Sequence, residues 1–589
     1  MPRRLLPLAV AALWAMAALA PAAMADDGRR IEPSFVDLSD QAFPPGTVWP
    51  EDLTPRWEST GRSAAGIPAT QAPALSFAGP RNDVNFSYDL PDHDMAVGPD
   101  HIVITTLHEW AVYYKDGSVA IPQQRLDDTF ESTTNSYLEH GQVAYDHEAD
   151  RFLVVAEDSY GYSNKGTYES NWILSVAQNP TGEWTRYVID TGTSPLKHWW
   201  MVLGIDLGFD SRDGVFLAGN LYLVNYIGLD DYWTQPREYI GCGLIDLSKS
   251  EIYAGAEATV VARLLEYPNG EYTASVIPAL TFGDSAYEYF AATRHKDGDK
   301  FSVWRRHTQT GAFELYDQAD VGFVYNEPPD VAQDSSETVV RLLDNRLHNL
   351  QFVDGELTTS FMYSYTPPDA DKPISASRRL RYDVASKTFL ENDRVVFAED
   401  VSTFSPSQVQ TTSSCTIEAY GISGEGHDPS TAYRQVGSDI WQMAGVAGGS
   451  YERVGRWSGD VAMALDPVDD SVWILGEYAN ADQTWGTNIV QVYCDEDYGD
   501  DDDDMTDDDT TDDDTADDDT TDDDTTDDDT TDDDTTDDDT TDDTADDDSV
   551  DDDMPDDDSI DDDDSGANAS DAEEPDEDSG SDDTAGCGR

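Results

Sequence analysis

The densest grouping of residues able to do acid–base or metal chemistry is Asp92-His93-Asp94, followed by His108-Glu109 and then by Asp146-His147-Glu148. Imidazole nitrogen and carboxylate oxygen together suit a divalent metal, and the acids alone suit proton transfer. If the segments carrying them point alike, Asp92, His93, Asp94, His108 and His147 converge on one face as a ligand site. Asp94, Glu109 and Asp146 are then the acids that a hydrolase or lyase acting on extracellular carbohydrate would use. The plainer reading makes Asp146 and Asp150 turn residues, with His147 exposed between them. Asp210 with Asp213, and Asp297 with Asp299, offer paired oxygens for Ca²⁺. Neither pair completes a twelve-residue loop closed by a glutamate. Gly-x-Ser-x-Gly, His-Glu-x-x-His and a phosphate-binding glycine loop do not occur in the sequence. Arg305-Arg306-His307 is a basic knot in an acidic body and reads as a strand-end salt-bridge partner. These residues favour a non-catalytic module that binds an extracellular polymer, glycan or protein, with the carbohydrate-active enzyme as the alternative.

The elements that must position these residues are strands. From Asp92 onward, short runs of β-branched and aromatic residues alternate with Asp/Gly/Asn/Pro turns, as in His101–Thr106, Phe152–Ala156, Gly214–Ala218 and Ser471–Leu475. No window holds a helical stripe of more than two turns, so the body is all-β. A repeat underlies the runs: a strand ends in an Asp-bearing turn and the next starts on a large hydrophobe. It recurs at Asp100, Asp146–Asp150, Asp210–Asp213, Asp297–Asp299, Asp354 and Asp466–Asp469. Two wider gaps, 213 to 297 and 354 to 466, each leave room for a degenerate copy. Units of roughly 57 residues suit propeller blades with loop insertions and predict a seven-bladed β-propeller over residues 92–494. Two β-sandwiches are the competing architecture, but their repeat is longer, at roughly 100 residues. Trp199-Trp200 and Tyr222 to Tyr232-Trp233 could stack on sugars, though blade cores use the same residue types.

The two ends give an address. Residues 1–25 read as a secretory signal peptide: Arg3 and Arg4, an apolar run from Leu5 to Leu19, and Ala23-Met24-Ala25 before Asp26. Residues 26–91 are rich in Pro, Ser, Ala and Gly and read as an extended leader. Residues 495–589 hold 52 acidic residues and one basic residue. With nothing apolar to bury, this Asp/Thr-rich tail is expected to stay disordered and to condense divalent cations as a polyelectrolyte. The chain carries a formal charge of −88, and residues 26–494 alone hold 70 acidic against 31 basic residues. That balance excludes nucleic acid as a partner, since phosphate binding needs clustered Lys and Arg. No stretch after the signal is long and apolar enough to span a membrane as a helix, so the mature protein is expected outside the cell or on the surface of a bacterium. Among Cys242, Cys415 and Cys494 one disulfide is expected, with the pair left open, and Cys587 is a candidate surface handle.

A family resemblance falls on the same residues. Asp94-Met-Ala-Val-Gly-Pro-Asp-His-Ile-Val103 with Val112-Tyr-Tyr-Lys-Asp-Gly117 resembles the opening blade of large secreted bacterial β-propeller-like proteins of poorly defined function. Val143–Phe152, Ser175–Trp184 and Leu203-Gly-Ile-Asp206 continue it in order. Arg456-Trp457-Ser458-Gly459-Asp460 and Asp466-Pro-Val-Asp469 resemble the closing segment of that family, where Arg-Trp-Gly-Asp is usual. The inserted Ser458 means that no role carries over to Asp460. The resemblance implies an exported propeller beside a variable tail or anchor.

Overall fold

The computed structural model describes residues 28–46, 73–82 and 91–494, except 135–136, 163–166, 192–199, 225–236, 272, 295–296, 343–344, 369, 371, 399, 453–456 and 458–460. The signal segment, the acidic tail, Cys587, Trp199, Tyr232, Trp233 and Asp460 therefore lie outside the described residues. Of Trp200 and Asp297 only the backbone is described.

Three strands precede the repeat: β1 (Arg29–Ile31), β2 (Pro33–Asp37) and β3 (Leu75–Arg81). The first antiparallel sheet is β4 (Asp94–Val97), β5 (His101–Thr105), β6 (Glu109–Tyr114) and β7 (Val119–Arg125). After helix α1 (Leu126–Phe130) comes a second: β8 (Leu138–Asp146), β9 (Arg151–Tyr162), β10 (Thr167–Ala177) and β11 (Glu183–Asp190). β12 (Trp200–Phe209), β13 (Gly214–Val224), β14 (Arg237–Ser248) and, past the short helix α2 (Lys249–Ile252), β15 (Ala258–Leu265) make another run. The next holds β16 (Ile277–Pro278), β17 (Leu280–Phe282), β18 (Tyr287–Thr293), β19 (Asp297–His307) and β20 (Phe313–Asn326). β21 (Leu347–Val353), β22 (Glu356–Tyr365), β23 (Ile374–Asp383) and β24 (Thr388–Val395) follow. β25 (Val401–Gln410), β26 (Thr416–Gly424), β27 (His427–Gln435) and β28 (Gln442–Gly445) form one more sheet. The last is β29 (Ala462–Leu465), β30 (Val472–Ala479) and β31 (Trp485–Val492).

These sheets are arranged as a propeller. The first strand of each run is innermost, and consecutive innermost strands touch in the order β4, β8, β12, β16, β21, β25, β29, with β29 returning to β4. The ring is sealed by the leader. β3 pairs antiparallel with β31, so the fourth strand of the last sheet comes from a segment about 400 residues upstream. β1 and β2 extend two other sheets at their outer edges, on β15 and β11. The stretch read as an extended leader is thus partly strand.

The core lies between sheets rather than within them. Met95, Ile102 and Ile104 of the first sheet pack on Trp473, Leu475 and Ile489 of the last. Val103, Val112 and Trp110 pack on Val154, Ile173 and Trp184. Trp110, Trp172, Trp184, Trp304, Trp473 and Trp485 are all fully buried. A four-stranded sheet cannot bury both faces alone, and neighbours on either side supply the missing contact.

Blade spacing predicts seven separate sheets, but among the described residues there are five discrete sheets of four or five strands. The remaining strands form one ten-stranded sheet, in which β12–β15 and β21–β24 are bridged through β17. The innermost strand between them breaks at Ala279. β17 leaves β18 and pairs in parallel with β12 and β21 instead. Gly208 permits this approach, because a Cβ there would lie 2.5 Å from Pro278 Cβ and 2.6 Å from Ala279 O.

The Asp-bearing turns share one role with one exception. Asp100, Asp146–Asp150, Asp210–Asp213, Asp354 and Asp466–Asp469 all join an innermost strand to its neighbour. Asp297–Asp299 instead starts β19, at the opposite end of its sheet. The corresponding turn there is 283–286, and in the gap from 354 to 466 it is 411–415.

Candidate functional site at the two ends of the channel

Innermost strands in this ring run in the same direction, so their first residues gather at one end of the central channel and their last residues at the other. Asp92, His93 and Asp94 stand at the entry of β4, and the turn bearing His108 and Glu109 returns to the same end, since Asp94 pairs with Thr105. Asp146 is the last residue of β8. Asp94 Oδ2 accepts the Val143 amide at 2.9 Å, so Asp146 sits three residues farther along, roughly 10 Å away. Asp92, His93, Asp94 and His147 line one channel cavity, whose lining does not include His108, Glu109 or Asp146. Asp92, His93, Asp94, His108 and Glu109 share the entry end, while Asp146 and His147 occupy the turn end.

At the entry end, Asp92 Oδ2 lies 2.5 Å from His140 Nδ1. Both residues are buried, and both have left-handed backbones, with φ of 31° and 52°. His140 occupies a bulge, where the register between β8 and β9 shifts from Glu139 to Gln142. The same device recurs at Gly204, Asn349 and Ser405 on β12, β21 and β25, each with positive φ at a register shift. Burial opposes charge on His140, but the carboxylates of Asp92 and Glu157 outweigh it and raise its pKa to about 9. Burial pushes the Glu157 carboxyl up to about 7, against the pull of His140. Glu157 Oε1 is buried without a hydrogen-bond partner. Glu477, whose Oε1 is likewise unpartnered, is held well above the carboxylate range by burial and by Asp92. His93 Nδ1 is 3.9 Å from Glu477 and its Nε2 is 3.3 Å from Leu475 O; burial lowers its pKa to about 4. His140, Glu157 and Glu477 lie far along the chain from Asp92-His93-Asp94, and sequence reasoning missed all three.

The other predicted acids are engaged by the chain itself. Asp94 accepts the amides of Met95 (2.8 Å) and Val143. Glu109 Oε2 accepts Gln123 Nε2 at 2.5 Å. His108 Nδ1 lies 3.2 Å from Leu138 O. At the turn end, Asp146 Oδ2 meets Lys249 Nζ at 2.6 Å and the Tyr253 hydroxyl at 2.9 Å. Its Oδ1 accepts the amides of Glu148 and Ala149, both at 3.2 Å. Asp146 is therefore a turn residue, but His147 is not exposed. It packs between Tyr145 and Phe282, and burial lowers its pKa to about 4.

The Asp pairs read for calcium are similarly placed. Asp210 Oδ1 accepts the amides of Arg212 and Gly214, and its Oδ2 lies 3.7 Å from Arg306. Asp213 accepts Ser248 Oγ at 2.8 Å and the Ser250 amide at 2.7 Å. Asp299 lies 3.9 Å from Lys300, and the Asp297 side chain falls outside the described residues. Among the described residues no three His, Cys, Asp or Glu side chains are grouped to hold a metal ion. Cys415 is bonded to Cys494, leaving Cys242 free and buried in β14. Between the two ends the channel keeps a cavity of about 80 Å³, reached by Asp92, His93, Gln142, Asp206 and Asn349. That is below the roughly 150 Å³ that admits a six-membered ring such as benzene.

No family model matches the chain. No curated protein matches it either. Among solved structures it is similar to a protein of unknown function from Dyadobacter fermentans DSM 18053, at 8% identity over 72% of this chain and 99% of that one, with a TM-score of 0.35. Trypanosoma rangeli sialidase is similar over 71% of this chain and 60% of its own, at 9% identity and a TM-score of 0.32. Endo-1,5-alpha-L-arabinanase from Thermotoga petrophila RKU-1 is similar over 69% and 99%, at 10% identity and a TM-score of 0.27. Among the described residues no helix is long and apolar enough to cross a membrane.

Proposed function

We propose that this is an exported, surface-associated propeller that binds an extracellular polymer, glycan or protein without transforming it. The observation that carries the reading is how the candidate acids are used. Asp94, Glu109 and Asp146 are each committed to amides, an amide side chain or a lysine of the same chain, and the channel cavity is only about 80 Å³. The ring is read as seven units, the ten-stranded sheet serving as two blades tied at β17. Its entry end is the binding face: the connections there include 327–346 and 446–461, which are longer than the turns 98–100, 210–213 and 354–355 at the other end. The acidic tail acts as a hydrated spacer on which Ca²⁺ or Mg²⁺ condenses, with Cys587 as an attachment point.

A glycan array and a reducing-sugar assay on the secreted full-length chain test the proposal together. Retention of a polymer without release of reducing ends is the expected result; turnover overturns it. The enzymatic alternative draws on one feature, the Glu157 carboxyl at about 7 beside Asp92 and His140. With 2% of Glu157 exposed, substrate reaches it only if the entry end opens. An activity abolished by Glu157→Gln and by Asp92→Asn would establish that alternative.

A further inference from the structure

Acidic residues outnumber basic ones 122 to 34 in this chain, so a guanidinium without a carboxylate is informative. On β23, Arg379 takes Glu391, Asp393 and Glu418, and Arg381 takes Glu356 and Glu391. Arg378, which directly precedes them and lies on the other face, has no carboxylate within ion-pair distance among the described residues. Neither does Arg394, which is its direct cross-strand partner on β24. Like charges facing each other across strands destabilise a sheet. Burial lowers the Arg378 pKa and Arg394 adds to it, while Tyr363 and Asp393 work against it.

Each guanidinium lies instead over an aromatic ring. Arg378 Cζ is 4.7 Å from the centroid of Phe323, and Arg394 Cζ is 3.9 Å from that of Tyr365. Phe323 comes from β20, the outermost strand of the neighbouring sheet, and packs on Tyr363 at 5.1 Å. Arg378 is half-buried and fixed by Asn392, whose Oδ1 accepts its Nε at 2.6 Å, while Arg394 is exposed. β24 meets β20 where Asn392 Nδ2 donates to Val321 O at 2.9 Å, and beside this contact lies a patch with one fixed and one exposed guanidinium. Guanidinium forks match carboxylates in a bidentate manner.

We propose that this patch binds a carboxylate-bearing polysaccharide, a polyuronate, through Arg394 and Arg378, with Phe323 and Tyr365 holding the two guanidiniums in place from beneath. The inference rests on the polymer-binding reading above and gives that polymer its chemical class. Ligation of a carboxylate would add to the partial relief that Tyr363 and Asp393 already give Arg378.

The test uses the full-length chain and three immobilised probes: polygalacturonate, dextran and dextran sulfate. Polygalacturonate is expected to bind, more weakly as salt rises, and Arg394→Glu is expected to lower that affinity by about tenfold or more. Arg394→Gln serves as the second variant should the glutamate disturb folding, with unchanged melting temperature as the control for either. Equal affinity of a folded Arg394 variant and the unaltered chain overturns the proposal. So does binding of dextran sulfate without polygalacturonate, or binding of dextran alone. In the dextran case the polymer-binding reading survives while its acidic specificity fails; if glycan and protein arrays also show no ligand, both fall.

Discussion

At the residue scale, the buried acids divide into clamps and proton holders. Asp146 is a clamp: it joins the second sheet to Lys249 and Tyr253 of the third. Asp146→Ala strands a buried ammonium, and denaturant unfolding should register a loss of about 3–5 kcal/mol. Glu157 is a proton holder. Its folded pKa of about 7 lies above its ordinary value of 4.5, so the native state keeps a proton that the unfolded chain has released. The stability this contributes is present below the lower value and is lost as pH rises through the higher one. His140, raised from 6.5 to about 9, loses its contribution over that higher window. His93 and His147, both lowered to about 4, act in the opposite sense, contributing stability above 6.5 that is lost as pH falls. Comparing Glu157→Gln with the unaltered chain isolates the first effect. The melting temperature of the variant should gain on that of the parent as pH rises from about 5 to about 8; a constant difference would show that Glu157 does not titrate there.

At the element scale, closure depends on two long-range ties at the last sheet. β3 supplies its fourth strand, and the Cys415–Cys494 disulfide joins the end of β31 to the turn between β25 and β26. The bond spans 79 residues of sequence, so opening it releases chain entropy that, on a loop-closure estimate, is worth up to about 4 kcal/mol. Cys415→Ser should lower the melting temperature in a calorimetric scan, and adding reductant to that variant should lower it no further. Cys242 is excluded as a partner by position: it lies buried in the middle of β14, between Asn220 and Leu265 on the flanking strands. None of this is readable from cysteine spacing, because each pairing of three cysteines satisfies the same spacing argument.

At the scale of the whole molecule, the acidic tail and the ring differ in what they can bury. Deleting residues 500–583 removes no aromatic side chain. The melting temperature of the remaining chain should therefore stay within a degree or two, while its calcium uptake should fall steeply in equilibrium dialysis. A large drop in melting temperature would show that the tail has a structural role beyond that of a spacer.

The sequence by itself determined the all-β class, the repeat and the positions of most Asp turns, because alternation and turn chemistry are local properties of neighbouring residues. It singled out Asp92-His93-Asp94, and the structure sets Asp92 beside His140 and His93 near Glu477. Tertiary structure alone decided which end of the channel each acid reaches, since that depends on strand direction around a closed ring. The same closure brought Asp92 to His140 and Glu477, set Arg394 opposite Arg378, and fused two runs of strands through β17 at Gly208. These are contacts between residues far apart in the chain, and no local pattern encodes them.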